Sequence, residues 1–563
     1  MLMVRGKKKS IFFDMPYWKD LYVHHNLDVM HIEKNVCESL IGTLLNMPGK
    51  TKDGEKTRLD MAEMGIRESL KPITESGKRT FLPPACYVLS RSEKQQFCST
   101  LSEIKAPTGY SSNIKSVVQM KDLRLINLKS HDCHTLMQQL LPVAIRGLLP
   151  KQVRAVIVRL CYFFNAICCK VIDPVKIEEL QEEVVVTLCL LEKYFPPAFF
   201  DVMLHLVVHL PREIKLCGPV WLRWMYPMER YMKILKGYVR NRSRPEGCII
   251  ECYVAEEAVE FCSEYLESSQ TIGIPKSLES RQNVRMGFKV TPVEYKMLCE
   301  AHFYVLQNTP EVDCYRLQHL RKGERWLQAE HRRCFIPWVR QKIETELANP
   351  DHCVTETLRW LANEPRRDVI RYSGYGINGY SFHKREHDLR STTQNSGVTV
   401  EGDSLHVSSA KDKNPVYANM SYYGVIEDIW ELNYTSFKIT VFRCKWVDNK
   451  TGVKVDEHGF TLVDLNKEGD CSDQFIMANQ AKQVFYVSNQ NDGRWSVVLT
   501  AKPKLYDGGD VCDKIEETPS FINQLPECED NQNEDVSYVR EDCEGEYIEV
   551  GTSKIKKRKK IAS

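Results

Sequence analysis

The sequence predicts an α+β multidomain chain: a mostly helical N-terminal region, then a small antiparallel β domain and a disordered tail. Three observations carry this. Apolar residues recur at three- and four-residue steps over residues 15–266, the signature of helices with one buried face. Over residues 422–499 the step shortens to two, as in strands with one face buried. From residue 516 the chain turns acidic and poor in aromatic residues, too polar to bury a core of its own.

The helical region contains four clear periodic segments: 28–45 (Met30, Val36, Leu40, Leu44), 135–148, 152–172 and 177–194. Prolines at 142, 150, 174, 196, 197, 211, 227 and 245 punctuate the region, because a residue without an amide donor starts or ends a helix. Residues 270–365 are mixed, with helical stretches at 291–307 and 338–347. Residues 373–414 are rich in Gly, Ser, Thr and Asn without apolar period, and read as a linker. After them, Phe437-Lys438-Ile439-Thr440-Val441-Phe442-Arg443-Cys444-Lys445-Trp446 alternates apolar and polar side chains. Segments 460–465, 483–487 and 495–499 repeat the pattern between turns, so a sheet or barrel of about 80 residues is expected. The tail ends in Lys554-Ile555-Lys556-Lys557-Arg558-Lys559-Lys560. Its core, Lys556, Lys557, Arg558, Lys559 and Lys560, suits a nuclear-import signal or a nucleic-acid contact; a solvated chain end is the plainer alternative.

Composition narrows the function classes. At 563 residues the chain exceeds one ordinary core, and 43% hydrophobic with 27% charged residues is a globular balance. A formal net charge of +2 leaves nucleic-acid binding to local patches. The 21 cysteines include no C-x-x-C pair, so neither a zinc ribbon nor a thioredoxin-like site is encoded; they read as reduced thiols of an intracellular protein. No apolar stretch reaches the length of a membrane span, and residues 1–9 are followed by no signal-peptide core. The loops and helices of nucleotide hydrolases, serine esterases and zincins are absent as motifs.

Two sets of strings resemble a known family. The first comprises Phe13-Asp14-Met15-Pro16-Tyr17-Trp18, then His25-Asn26-Leu27-Asp28-Val29-Met30-His31-Ile32-Glu33-Lys34-Asn35-Val36-Cys37, Ser130-His131-Asp132-Cys133-His134, and Trp224-Met225-Tyr226-Pro227-Met228-Glu229-Arg230-Tyr231-Met232-Lys233. The second runs from Tyr423-Gly424-Val425-Ile426-Glu427-Asp428-Ile429-Trp430-Glu431-Leu432 to Trp495-Ser496-Val497-Val498-Leu499. Together they resemble the C-terminal portion of plant CACTA-type (En/Spm-like) DNA transposases over residues 10–500. Resemblance and composition together give six segments. These are the end of a transposase domain (1–50), a helical domain of unknown function (51–270), a mixed helical connector (271–372), a linker (373–414), a small β domain of unknown function (415–506) and an acidic tail with its basic cluster (507–563).

Intact members resemble RNase H-like enzymes whose two catalytic aspartates and C-x-x-C pair lie upstream of the matching region. The helical region then represents the remnant of such a core, and autonomous cleavage by this chain is not expected. No cofactor is expected for the chain alone; Mg²⁺ or Mn²⁺, and Zn²⁺ as well, belong to an intact member.

Within the resemblance Glu229 is the candidate for the last carboxylate of the acidic triad. Arg230, Lys233, Lys236, Arg240, Arg242 and Arg244 follow it and form a basic surface suited to a phosphate backbone. The alternative for Glu229 is a carboxylate favoured by a helix N-terminus. By analogy with the V(D)J recombinase core, where a histidine pair precedes the glutamate, His205 and His209 are metal candidates on one helix face. Their alternative is burial within the apolar run 202–210. Of His131-Asp132-Cys133-His134 at most two side chains can reach one ion, and a helix cap by Ser130 or Asp132 is the simpler account. Asp28 and His31 have metal-compatible spacing but suit a helix start equally well, and Asp14 precedes a Met-Pro turn.

The expected function is a transposon-derived nuclear protein that binds transposon-end DNA or a full-length transposase, with no membrane role. The competing expectations are a non-enzymatic nuclear scaffold and a non-functional fragment of a degenerate element. Oligomeric state is not set by the sequence.

Overall fold

The computed structural model describes residues 11–75, 79–110, 113–265, 285–320, 327–348, 354–406, 416–469, 473–490, 492–503 and 537–549. The chain divides into two compact units: residues 1–102, 114–270 and 515–563, and residues 103–113 and 271–514. The α+β reading holds. The first unit is mainly helical and the second is built on an antiparallel sheet.

In the first unit, α1 (Val29–Leu44) starts where Asp28 accepts the His31 amide at 3.2 Å, a side-chain cap for an otherwise orphaned donor. It buries Met30, Val36, Cys37, Leu40 and Leu44. Helices α2 (Glu55–Glu63) and α3 (Arg91–Glu103) follow, separated by the hairpin β1 (Ile73–Glu75) and β2 (Arg79–Leu82). Arg58 of α2 is buried, yet its guanidinium is satisfied by both Asp53 oxygens and by the Leu70 and Pro83 carbonyls.

A second hairpin, β3 (Val118–Gln119) and β4 (Arg124–Leu125), precedes α4 (Ser130–Thr135), which continues through a π-turn over Leu136–Leu140 into α5 (Leu141–Ala144). Pro142 stands just past that widened turn. Helix α6 (Lys151–Ile167) is almost wholly inside, with Leu160 and Phe164 fully buried. Asp173 caps α7 (Pro174–Tyr194), and α8 (Val202–Leu206), α9 (Leu210–Cys217), α10 (Tyr226–Tyr238) and α11 (Pro245–Tyr265) complete the unit.

The tail departs from expectation in part. Residues 537–549 are ordered: Glu546–Glu549 forms a strand antiparallel to β2. Arg540 reaches Glu93 at 2.6 Å and Asp542 at 2.6 Å, an ion-paired anchor that composition does not reveal. The basic cluster Lys556 to Lys560 lies outside the described residues, as does most of the acidic run.

The second unit extends well beyond the expected 415–506. Its strands are β5 (Arg285–Pro292), β6 (Asp368–Ile377), β7 (Tyr380–His383), β8 (Gly397–His406), β9 (Val416–Asn433), β10 (Lys438–Trp446), β11 (Val453–Val455), β12 (Thr461–Val463), β13 (Phe475–Met477), β14 (Lys482–Ser488) and β15 (Ser496–Thr500). They make one sheet in the order β11-β12-β15-β14-β8-β9-β10-β13, and β6 joins β5, β7 and β9. The 437–446 expectation corresponds to β10, whose register against β9 slips between Arg443 and Cys444.

The expected linker 373–414 is corrected. Its described part holds the end of β6, then β7, the short helix α16 (Arg385–Arg390) and β8, all within this unit. The small residues mark close packing: a Cβ at Gly397 would run into the Val484 carbonyl, and one at Gly374 would meet the His383 ring at 2.8 Å. The expected connector 271–372 is corrected as well. Its helices α12 (Tyr295–Gln307), α13 (Asp313–Leu320), α14 (Leu327–Leu347) and α15 (Glu356–Ala362) share one core with the sheet. Leu298, Ala301 and Val305 on one face of α12 meet Phe335, Trp430 and Phe475 there. Among the described residues no helix is long and apolar enough to cross a membrane.

Candidate functional site

A buried polar cluster in the first unit forms where three of the family-like strings meet. Helix α1 presents an apolar stripe, and Glu33 interrupts it at a core position between Met30 and Val36, with 1% exposure. Burying a carboxylate costs several kcal/mol unless it is paired or hydrogen-bonded. Its partner comes from α4. His134 Nδ1 lies 2.7 Å from Glu33 Oε2, and Gln138, one turn further on, places its amide 2.9 Å from the same ring nitrogen and 3.4 Å from Glu33 Oε1. Asn165 of α6 holds the Gln138 carbonyl at 3.1 Å. Cys168, at the C-terminal end of α6, is buried beside them.

Glu33, His134 and Cys168 each offer a ligand atom within 4.8 Å of the others. The third string closes the place: the Trp224 ring stands edge-on to His134 at 4.8 Å, and the Tyr226 hydroxyl is buried with no hydrogen-bond partner among the described residues. Burial pushes the Tyr226 hydroxyl well above its usual pKa, and the Glu33 carboxylate and Cys168 sulfur add to the effect. Burial likewise raises the Cys37 and Cys161 thiols of the same interior.

Beyond Tyr226 the character changes. Glu229, Arg230, Lys233 and Lys236 are all exposed on α10, and Arg240, Arg242 and Arg244 are exposed in the turn before α11. None of these six cations makes an ion pair among the described residues. The Tyr238 hydroxyl donates to Glu256, tying α10 to α11. Met228, Met232, Ile234, Val254 and Phe261 remain exposed on the same two helices.

His205 and His209 do face each other, with Nε2 atoms 3.4 Å apart, but both are exposed. Burial in the apolar run is therefore corrected for them; Leu204, Val207 and Leu210 take the inward positions. Among the described residues, no group of three metal-ligating side chains includes either histidine or Glu229.

The cap expected from Ser130 or Asp132 is supplied by Asp132, from the third helical position, where it accepts the Lys129 amide at 3.0 Å. Asp14 lies exposed in a short 3₁₀ turn. What sequence reasoning missed is the convergence of Glu33, His134 and Cys168. The signal available was a glutamate seated on the apolar stripe of 28–45, where an amphipathic helix has no use for a charge.

Residues 167–277 match the family described as Domain of unknown function (DUF4218), and residues 430–498 match Domain of unknown function (DUF4216). The first match spans Cys168, His205, His209, Tyr226, Glu229 and the six cations; the second spans β10 to β14 and most of β15. No curated protein and no solved structure matches the chain. The two domains are of the kind typical of plant transposase-derived proteins.

Proposed function

We propose that this chain is a CACTA-type transposase derivative that works in the nucleus. It holds transposon-end DNA, or a full-length transposase, through the α10–α11 hairpin, and does not cut DNA with these residues alone. The observation that carries this reading is the run of six exposed cations that follows Glu229 in the chain, none of them ion-paired among the described residues, inside the segment that matches DUF4218. Such a surface gains affinity by releasing counterions from phosphates.

Strand cleavage of this class needs several acidic ligands around paired ions. Glu229 belongs to no such group among the described residues, so the side chains present do not fit a magnesium or manganese pair and no step is assigned to one.

The test is a gel shift with labelled transposon-end duplex across a salt series. Neutralising Lys233, Lys236 and Arg240 to glutamine should weaken binding and flatten the slope of log K against log salt by about 3. With Mg²⁺ or Mn²⁺ the duplex should stay intact; nicking above a Glu229→Gln control rejects the inactive part of the reading.

One observation favours a scaffold instead. The second unit carries an open cavity of about 810 Å³ whose lining includes Lys289, Arg371, Lys384, His387 and Arg390. Glu386 joins that lining and Asp428 already pairs with Arg371 and Lys384, so among the described residues Lys289 and Arg390 are the cations left for an anionic partner. Unchanged DNA binding by the triple variant would favour this second reading.

A further inference from the structure

We infer that Glu33, His134 and Cys168 form a zinc-type metal site inside the first unit, separate from the His205–His209 pair and from Glu229. Three separate elements deliver its donors: α1, α4 and the end of α6. All three side chains are buried, with exposures of 1%, 8% and 4%. Their ligand atoms already lie within 4.8 Å of one another.

Two features ask for a cation rather than for hydrogen bonds alone. His134 Nδ1 is approached by Glu33 Oε2, an acceptor, and by the Gln138 amide nitrogen, a donor. One ring nitrogen carries either a proton or a lone pair and cannot satisfy both. A metal ion taking the lone pairs of the ring nitrogen, the carboxylate and the sulfur removes the conflict, and leaves Gln138 to donate to Glu33 Oε1.

The second feature is Tyr226. Its hydroxyl is buried without a partner among the described residues, yet lies near enough to feel both Glu33 and Cys168. A donor of this kind suits the fourth position of a three-ligand site.

Donor chemistry selects the ion. Thiolate with imidazole and one carboxylate is a borderline-soft set that favours zinc over magnesium or calcium. Bond lengths of about 2.0–2.3 Å place ligand atoms roughly 3.3–3.8 Å apart in a tetrahedron. Binding therefore opens the 2.7 Å Glu33–His134 contact by about 0.6 Å. Charge balances as well: the carboxylate and the thiolate offset a divalent ion, and the Cys168 proton leaves to solvent on binding. The ion would tie α1 to α4 and α6 beneath the start of α10, which carries Glu229 three residues after Tyr226.

The full chain, stripped of metal and kept reduced, should bind one equivalent of Co²⁺. The expected sign is a thiolate-to-cobalt charge-transfer band together with tetrahedral ligand-field bands, both bleached by one equivalent of Zn²⁺. Cys168→Ser should abolish the charge-transfer band, and Glu33→Gln should weaken binding at least tenfold. A His205→Ala, His209→Ala double variant should leave the spectrum unchanged.

Should Glu33→Gln fail to fold, Cys168→Ser decides the matter, with zinc content measured on the protein as purified. Absence of both bands and zinc overturns the site, and so does a charge-transfer band that survives Cys168→Ser. Neither result depends on the gel shift, so loss of DNA binding and loss of the metal site are read separately.

Discussion

Each unit buries an imidazole against a glutamine, but the surroundings differ in sign. In the first, His134 and Gln138 share their place with a carboxylate and a thiol. In the second, His319 and His331 approach with Nδ1 atoms 2.8 Å apart, and Gln307 meets His331 from the other edge at 3.0 Å. Aromatic rings wrap that pair: Phe335 lies 4.6 Å from His331, and Trp338 lies 4.8 Å from His319.

No carboxylate or thiol joins the second centre in a metal-holding group among the described residues. The surroundings of His331 therefore favour its neutral form. Burial first, then His319 and Arg316, lower His331 to about 4. An interior that gathers anionic donors stores an affinity for cations; one lined with rings disfavours the protonated imidazole.

The largest effect that sharpens this contrast is a cavity at Phe335. This residue is fully buried at the junction of α14 with the sheet core. Phe335→Ala should cost about 3–5 kcal/mol. In hydrogen exchange the α14 amides should lose roughly two to three and a half orders of magnitude of protection, since each 1.4 kcal/mol is tenfold. Cobalt binding in the first unit should be untouched. Coupled loss of both would show that the two interiors are not independent.

The next effect is acidification. His302 is buried against the Tyr434 hydroxyl, 2.9 Å away, and burial, with a smaller contribution from Arg340, lowers it from 6.5 to about 3. A histidine with a depressed folded-state pKa is protonated first in the unfolded chain. Its contribution is therefore complete above pH 6.5 and fades as pH falls toward 3. At pH 5 the loss from His302 alone should be about 2 kcal/mol. Urea unfolding followed at the buried Trp430 should show the midpoint falling between pH 7 and 5, and His302→Gln should flatten that slope. A midpoint that rises over this range would break the account of His302 as an imidazole held neutral by burial.

How far the sequence foretells this arrangement depends on what each signal measures. Helical periodicity locates α1, α6 and α7 because apolar spacing is a local property, and alternation locates β10 for the same reason; β14 is buried on both faces from Gln483 to Val487. The stretch 373–414 misleads because glycine has two meanings. Composition treats it as a sign of freedom, whereas Gly374 and Gly397 sit where strands leave no room for a Cβ.

The strand Glu546–Glu549 was illegible because its partner, β2, lies more than 460 residues earlier in the chain. His205 and His209 keep the expected i, i+4 pairing, since spacing fixes it, yet their exposure depends on which helix face meets the core. The Glu33 centre shows the limit most clearly. His131-Asp132-Cys133-His134 could be weighed only as four neighbours, and the partners that matter come from α1 and α6.

The smallest effect is expected at Glu229, the residue on which the sequence resemblance places most weight. Its side chain is exposed on α10 and belongs to neither buried centre. Glu229→Gln should shift stability by less than about 0.5 kcal/mol, as for other exposed positions. Removing a negative charge from among six cations should slightly strengthen DNA binding at low salt, and the difference should vanish as salt screens it. Glu33→Gln, by contrast, replaces the interior carboxylate and should lower both stability and cobalt affinity. If Glu229→Gln instead destabilised the chain as strongly as Glu33→Gln, the exposed carboxylate would have a structural partner, and the division between a buried ion-holding centre and an exposed nucleic-acid surface would fail.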